Sequence, residues 1–170
     1  ENDDTDVYAG LFGYCIGSIQ NLGVKYADIT VNLTSRSDFA YVGGIAGYVS
    51  RSGASIRNCY FAGEMHVTSI VLIAGGLVGY CSGGEIVDCY NAGTIDSNFH
   101  AAGIVGELEQ SAVVHCYNSG EIISNSAGGG IVARLSYNSH VSDCHNTGKI
   151  SGYSGGGIVG EIIGLWSTVS

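Results

Sequence analysis

A four-residue motif of glycine, two apolar residues and a small residue recurs along the whole chain and constrains its fold more than any other feature. The copies of the motif begin at Gly10, Gly44, Gly76, Gly103, Gly130 and Gly157. The last four copies start 27 residues apart, and the first two intervals are longer, at 34 and 32 residues. A fixed period of this length indicates an array of one repeated structural unit.

Apolar residues occupy equivalent positions in successive units. One such column contains Leu11, Ile45, Leu77, Ile104, Ile131 and Ile158, and another contains Ile19, Ile56, Ile86, Val113 and Val141. The apolar positions form short runs separated by glycine, serine and asparagine, without the three- and four-residue spacing of a helix. The 28 glycines follow the same period and proline is absent, which indicates ordered tight turns rather than a disordered glycine-rich chain.

We therefore predict an all-β fold, a single parallel β-solenoid (β-helix) domain over residues 1–170. The predicted solenoid has about six coils of roughly 27 residues, starting near residues 10, 44, 76, 103, 130 and 157, with three short strands per coil. Stacking at about 4.8 Å turns the apolar face of each coil into part of one continuous core. Neither end carries a polar cap, which predicts a fragment of a longer array or a unit that stacks end to end.

The net charge of the chain limits the classes of macromolecule that we expect to bind it. Six lysines and arginines stand against 15 aspartates and glutamates, which gives a net charge of −9. Nucleic acids and anionic membranes bind clustered basic residues, so we predict neither as a partner. The longest apolar run, Ile70 to Ala74, is far shorter than the roughly 20 residues of a membrane-spanning helix.

The cysteines fall into the repeat and show no metal-binding spacing. Cys59, Cys89, Cys116 and Cys144 share one column, and Cys15 and Cys81 share another. In-register parallel side chains point the same way, which fits poorly with the dihedral angle near 90° of a disulfide. No C-x-x-C pair is present. We predict buried thiols stacked in the core, with no metal and no cofactor.

An aromatic column lies next to the main cysteine column. It contains Tyr60, Tyr90, Tyr117 and His145, which strand alternation should direct outward. Two interpretations remain open: a stack that stabilises the sheet, or a strip that binds protein or sugar. We take these four residues as the candidate ligand-binding site. A second aromatic run contains Tyr14, Tyr48 and Tyr80, and an asparagine column of Asn91, Asn118 and Asn146 should form hydrogen bonds along the solenoid axis.

The repeat unit resembles a known motif. The segment Gly75 to Tyr80, followed by Ile86, by residues 88–91 and by Gly93, resembles the GLUG motif, whereas the copy at Gly130 departs from it at Ala133 and Arg134. Such repeats occur in large bacterial surface proteins of adhesin type and in the non-catalytic part of IgA-specific metallopeptidases. The resemblance implies a non-enzymatic, structural or interaction segment that is secreted and lies at the bacterial cell surface. Its implied partner is a protein or glycan of a host or neighbouring cell.

Two alternative functions remain open at the level of sequence. The first is a subunit of a filament that self-assembles through uncapped solenoid ends. The second is a glycan-processing β-helix, in which Asp88, His115 and Asp143 would line up from the position before each cysteine. No H-E-x-x-H zinc motif and no P-loop is present, which favours a chain without enzyme activity.

Overall fold

The computed structural model describes residues 6–33, 39–68 and 72–170. Within these ranges the chain forms 26 β-strands and no helix. The first coil contains β1 (Val7–Ala9), β2 (Phe12–Cys15), β3 (Ser18–Gln20) and β4 (Gly23–Asn32). The second coil contains β5 (Ala40–Gly43), β6 (Ala46–Ser50), β7 (Ser55–Arg57) and β8 (Tyr60–Thr68). The third coil contains β9 (Leu72–Gly75), β10 (Val78–Ser82), β11 (Glu85–Val87), β12 (Tyr90–Asn91) and β13 (Thr94–Ser97).

The remaining coils repeat the pattern of the third. The fourth contains β14 (His100–Ala102), β15 (Val105–Glu109), β16 (Ala112–Val114), β17 (Tyr117–Asn118) and β18 (Ile122–Ser124). The fifth contains β19 (Ala127–Gly129), β20 (Val132–Leu135), β21 (His140–Ser142), β22 (His145–Asn146) and β23 (Ile150–Ser151). The sixth contains β24 (Ser154–Gly156), β25 (Val159–Ile162) and β26 (Thr168–Val169).

Equivalent strands of successive coils pair in parallel and form four sheets. Sheet A contains β1, β5, β9, β14, β19 and β24, sheet B contains β2, β6, β10, β15, β20 and β25, and sheet C contains β3, β7, β11, β16, β21 and β26. Sheet D contains β4 and β8, followed by β12 with β13, β17 with β18, and β22 with β23. The predicted parallel β-solenoid is confirmed. It has five complete coils and a sixth with strands in sheets A, B and C, so the predicted number of about six is slightly high.

The expectation of three strands per coil is wrong, because each complete coil visits four sheets. A sharp bend divides residues 40–49, which look like one apolar run in the sequence, into β5 and β6. Glycine is needed at this bend: a Cβ atom at Gly43 would lie 2.6 Å from the carbonyl oxygen of Leu77 and 2.8 Å from the nitrogen of Gly79. The side chains on either side of the bend therefore belong to different sheets.

The core consists of the apolar columns that the comparison of repeat units predicted. The fully buried members of the two columns are Ile45, Leu77, Ile104, Ile131, Ile56, Ile86, Val113 and Val141. In sheet C the register places Ile86 between Ile56 and Val113 in the neighbouring coils. Full burial of one such side chain contributes about 1.5–3 kcal/mol, so these columns are a main source of stability.

No helix that could span a membrane occurs among the described residues. The apolar run Ile70 to Ala74 begins outside the described residues, and its described part belongs to β9.

Candidate functional site

The four predicted binding residues form one continuous stack on sheet D, which we call the aromatic ladder. Tyr60, Tyr90, Tyr117 and His145 are in-register partners in four adjacent coils. Their successive ring centroids lie 4.8, 5.0 and 5.2 Å apart, and the ring planes differ by only 7°, 8° and 6°. The three tyrosines are half-buried and His145 is exposed. The structure therefore brings together every residue that the sequence singled out for this site.

Strand alternation explains why these rings point outward, because the residue before each ring is a cysteine that faces the core. The buried cysteines are Cys59, Cys81, Cys89 and Cys116. The thiol of Cys89 donates a hydrogen bond to the carbonyl oxygen of Val87, at 3.1 Å. All six cysteines are free thiols, and burial raises the pKa of Cys59, and that of Cys81 to about 11. The prediction of core thiols is confirmed for the four buried cysteines.

The stacking geometry decides which part of each ring is available to a ligand. Because neighbouring rings lie nearly parallel at about 5 Å, the faces of Tyr90 and Tyr117 are covered by their neighbours. At the first-coil end, the ammonium of Lys25 lies 5.7 Å from the centroid of Tyr60. The two central rings of the ladder therefore offer their edges and hydroxyl groups to solvent rather than open faces.

A polar column borders the ladder at the corner between sheets C and D. It contains Asn21, Asn58, Asp88, His115 and Asp143, all with φ between 49° and 57°. Asparagine, aspartate and histidine are the non-glycine residues most enriched in this left-handed region, so the bend explains the choice of residue in the column. The amide of Asn58 donates to Asn21 at 2.6 Å.

The three candidate catalytic residues of this column are brought together, at the surface. His115 Nδ1 lies 3.5 Å from Asp88 Oδ1, and His115 Nε2 lies 3.8 Å from Asp143 Oδ2. All three side chains are more than half exposed. The histidine therefore faces one carboxylate on each side, in an open row that follows the coils. In the described part of the chain, no group of three or more histidine, cysteine, aspartate or glutamate side chains is arranged to hold a metal ion.

An open groove with a volume of about 410 Å³ lies on sheet D beside the ladder. Its lining residues are Tyr26, Ala27, Asp28, Ala62, Gly63, Glu64, Ala92, Gly93 and Thr94. Tyr60 and Ala62 are two residues apart in β8, so alternation places the ladder and the groove on the same outer face. The small residues keep the groove open, and Asp28 and Glu64 make it acidic.

Tyr26 is the residue at this site that the sequence analysis missed. The pairing of β4 with β8 shifts between Lys25 and Asp28, which is a β-bulge. Tyr26 lies in this bulge with φ of 55° and is 93 % exposed. The sequence does contain a signal for this residue. Later units have a glycine four residues after the cysteine of the column, whereas the first unit has Leu22 in place of the cysteine and Tyr26 in place of the glycine.

Comparison with known proteins agrees with the repeat architecture. The family model described as the GLUG motif matches residues 40–68 and residues 124–151. The first match spans β5 to β8, and the second reaches from the end of β18 to β23. No curated protein and no solved structure matches the chain. The chain therefore contains segments that match the GLUG motif, and each matched segment forms about one coil of the solenoid.

Proposed function

We propose that this chain is a non-enzymatic structural and interaction segment of a secreted bacterial cell-surface protein, with an adhesin-like role. The observation that carries the proposal is the aromatic ladder, a row of half-buried rings repeated at about 5 Å on a continuous hydrogen-bonded sheet. A rigid scaffold of this kind holds its contact residues in place before binding, which reduces the entropy lost on association. The secreted bacterial setting rests on the resemblance of the repeats to those of large bacterial surface proteins.

The geometry favours a protein partner over a sugar that stacks on the rings. A pyranose ring packs against the face of an aromatic side chain, and the faces of Tyr90 and Tyr117 are occupied by their neighbours. Tyrosine edges and hydroxyls combine apolar contact area with hydrogen bonding, which is typical of protein interfaces. The exposed polar column with Asp88 and His115 supplies a polar rim beside the ladder.

Two observations support a role without catalysis. The row of Asp88, His115 and Asp143 owes its residue types to the left-handed backbone at the corner, and its side chains pair with one another at the surface. Residues 152–156 also match the pattern G-x-S-x-G of hydrolases, which the sequence analysis overlooked. That pattern requires a turn from strand to helix, whereas Ser154 begins β24 and its hydroxyl donates to the carbonyl oxygen of Gly160 at 3.3 Å.

The proposal predicts that the ladder mediates adhesion. Beads coated with the protein should adhere to cultured epithelial cells, and the double substitution Tyr90→Leu with Tyr117→Leu should reduce adhesion by about tenfold or more, because central interface tyrosines often contribute about 2 kcal/mol. The matched control, Tyr137→Leu with Tyr153→Leu, removes two tyrosines that are exposed elsewhere and should adhere like the wild type. Thermal unfolding confirms that each variant is folded.

Equal adhesion by both double variants would remove the ladder from the proposal. If adhesion does depend on the ladder, arrays of matrix proteins and of glycans identify the class of partner. Binding on the protein array that depends on Tyr90 supports a protein ligand. Ladder-dependent binding confined to the glycan array would contradict the choice of protein while leaving the site itself in place.

A second candidate function is end-to-end assembly of copies into a filament. Among the described residues, strands β1 and β24 are the two edges of sheet A, and β2 and β25 are the two edges of sheet B. The coils at these edges expose large apolar side chains, among them Leu11 at 57 %, Leu165 at 70 % and Trp166 at 80 %. Unpaired parallel edges with apolar neighbours favour the addition of another coil.

Electron microscopy tests this second candidate directly. The purified protein at micromolar concentration should form fibres, and Trp166→Glu should abolish them because it places a charge at the stacking surface. Tyr137→Glu introduces the same charge at an exposed aromatic residue of the fifth coil, which is not a terminal coil, and should leave fibres intact. Monodisperse particles of the unmodified protein would contradict the filament hypothesis and would leave the proposed role of the aromatic ladder in adhesion unaffected.

A further inference from the structure

A second group of aromatic residues lies where sheets A and B meet, and we call it the tyrosine patch. It contains Tyr8 and Tyr41 from sheet A and Tyr14, Tyr48 and Tyr80 from sheet B. The two sheets come together because a glycine faces sheet A: a Cβ atom at Gly79 would lie 2.5 Å from the backbone nitrogen of Val42. Two separate sequence columns therefore merge into one surface.

The rings of the patch are arranged differently from those of the aromatic ladder. Tyr48 lies 4.9 Å from Tyr80 in a stacked pair and 5.1 Å from Tyr14 in a perpendicular pair, with an interplanar angle of 89°. Tyr8 is tilted by 65° to Tyr14. Tyr14 is 53 % exposed and the other four rings are half-buried. Tyr41 stacks on both Tyr8 and Tyr80, whereas Tyr14 stands at a steep angle to its neighbours, so the patch is not one uniform stack and Tyr14 is its most exposed ring.

Carboxylates surround the patch. The hydroxyl of Tyr8 donates to Asp6 at 3.1 Å, and the hydroxyl of Tyr80 donates to Glu109. Glu107 is the in-register partner of Tyr80 in the next coil. Burial, followed by these carboxylates, raises the pKa of Tyr8 and Tyr41 to about 12. The carboxylates of Asp6 and Glu109 therefore place negative charge next to the hydroxyl groups of the patch.

Little positive charge offsets these carboxylates. Arg134 is the in-register partner of Glu107 in the following coil, and its guanidinium lies 3.4 Å from a carboxylate oxygen of Glu107. Asp6 and Glu109 make no ion pair with a basic side chain in the described part of the chain. The chain as a whole carries a net charge of −9, which attracts cationic partners over a distance of several ångströms.

We propose that the tyrosine patch binds the arginine or lysine side chains of a basic segment of a partner protein. A guanidinium or ammonium group is attracted to the face of a tyrosine ring within about 6 Å, and arginine also stacks on aromatic planes. Asp6 beside Tyr8 and Glu109 beside Tyr80 each provide a carboxylate for the remaining N–H donors of a cation bound next to that tyrosine. Charge complementarity favours this occupant, because the patch combines aromatic rings with the carboxylates of Asp6 and Glu109, which pair with no basic side chain among the described residues.

The test uses the whole chain and a fluorescein-labelled octa-arginine peptide, with binding measured by fluorescence anisotropy. The control peptide is octa-citrulline, which keeps the shape of the side chain and lacks its charge. We expect the arginine peptide to bind and the citrulline peptide not to bind. Tyr48→Leu should weaken binding by about threefold or more, whereas Tyr48→Phe, which keeps the ring, should bind like the wild type.

Two further variants locate the effect. Tyr137→Leu removes an exposed tyrosine from another part of the surface and should not change binding. Tyr90→Leu alters the aromatic ladder and should also leave affinity for the peptide unchanged. If Tyr48→Leu does not fold, as judged by circular dichroism, Tyr14→Leu replaces it, because Tyr14 is the most exposed ring of the patch.

Three results would each overturn the proposal. They are equal binding of the citrulline peptide, wild-type affinity in Tyr48→Leu or Tyr14→Leu, and an equal loss of affinity in Tyr137→Leu. A loss confined to Tyr90→Leu would move the cation site to the ladder. None of these outcomes decides whether the ladder mediates adhesion, because the two surfaces are altered by different variants.

Discussion

Asn118 shows how a single buried polar side chain is stabilised in this solenoid. Its amide donates to Gly120 O at 2.9 Å and to Asn146 Oδ1 at 2.8 Å. Its oxygen accepts from the Gly120 N–H at 3.2 Å and from the amide of Asn91 at 2.7 Å. All donors and acceptors of the buried side chain are therefore used, which is the condition under which a polar group is tolerated in a core.

Replacing Asn118 should lower the free energy of unfolding. Asn118→Ala leaves the Gly120 N–H and one of the two side-chain N–H groups of Asn91 without a partner inside the protein, and we expect a loss of about 3 kcal/mol in the free energy of unfolding. Urea denaturation followed by circular dichroism measures the change. Asn125→Ala removes an exposed asparagine from the same coil and should stay within about 0.5 kcal/mol of the wild type. Equal losses in the two variants would contradict the stabilising role of the asparagine column.

Much of the candidate site could be predicted from the residue types of the repeat. The asparagine column and the aromatic ladder were both predicted from the alignment of units, because parallel in-register stacking turns a sequence column into a spatial row. The left-handed backbone at Asp88 and His115 was not predicted. These residues looked like an acid–base pair, although asparagine, aspartate and histidine are also the types that tolerate positive φ.

At the scale of strands and turns, glycine sets how closely coils approach. Gly93, Gly120 and Gly148 follow the cysteine column by four residues and stack on one another. A Cβ atom at Gly120 would overlap the carbonyl oxygen of Gly93, and one at Gly148 would overlap that of Gly120. The backbone of one coil therefore fills the space that a side chain of the next coil would need.

Gly120→Ala should therefore destabilise the fold by about 3 kcal/mol, because the methyl group forces adjacent coils apart. Thermal and urea unfolding both report the loss. Gly17→Ala is the matched control, since no atom lies within 4 Å of a Cβ atom at Gly17, and its effect should stay within about 0.5 kcal/mol. A small effect at Gly120 would show that the coils move apart readily at this column.

The number of strands per coil was the element-level prediction that failed. Apolar periodicity detects which residues face the core, and it correctly assigned Ile45 and Leu77. It does not detect a bend at which the residues on both sides remain apolar, as between β5 and β6. Glycine at position 43 permits that bend, because a Cβ atom there would overlap the carbonyl oxygen of Ala46 in the same coil and would come too close to Leu77 and Gly79 of the next coil.

At the scale of the whole molecule, the two proposed surfaces differ in how far the sequence could predict them. The aromatic ladder lies within one column, so its four members were named in full. The tyrosine patch joins two columns, and only Tyr14, Tyr48 and Tyr80 had been grouped. Tyr8 and Tyr41 join them because sheets A and B are in contact, a relation that depends on the cross-section of the coil and not on the period.

The equal length of the later coils has a genetic consequence. Val105, Val132 and Val159 are in-register partners and lie 27 residues apart, so one coil corresponds to 27 codons. An insertion or deletion of 27 codons therefore adds or removes one whole coil while it preserves the reading frame, the core columns and the outer rows. The length of the solenoid, and the number of rings that it displays, can change in this way in single steps without a new fold.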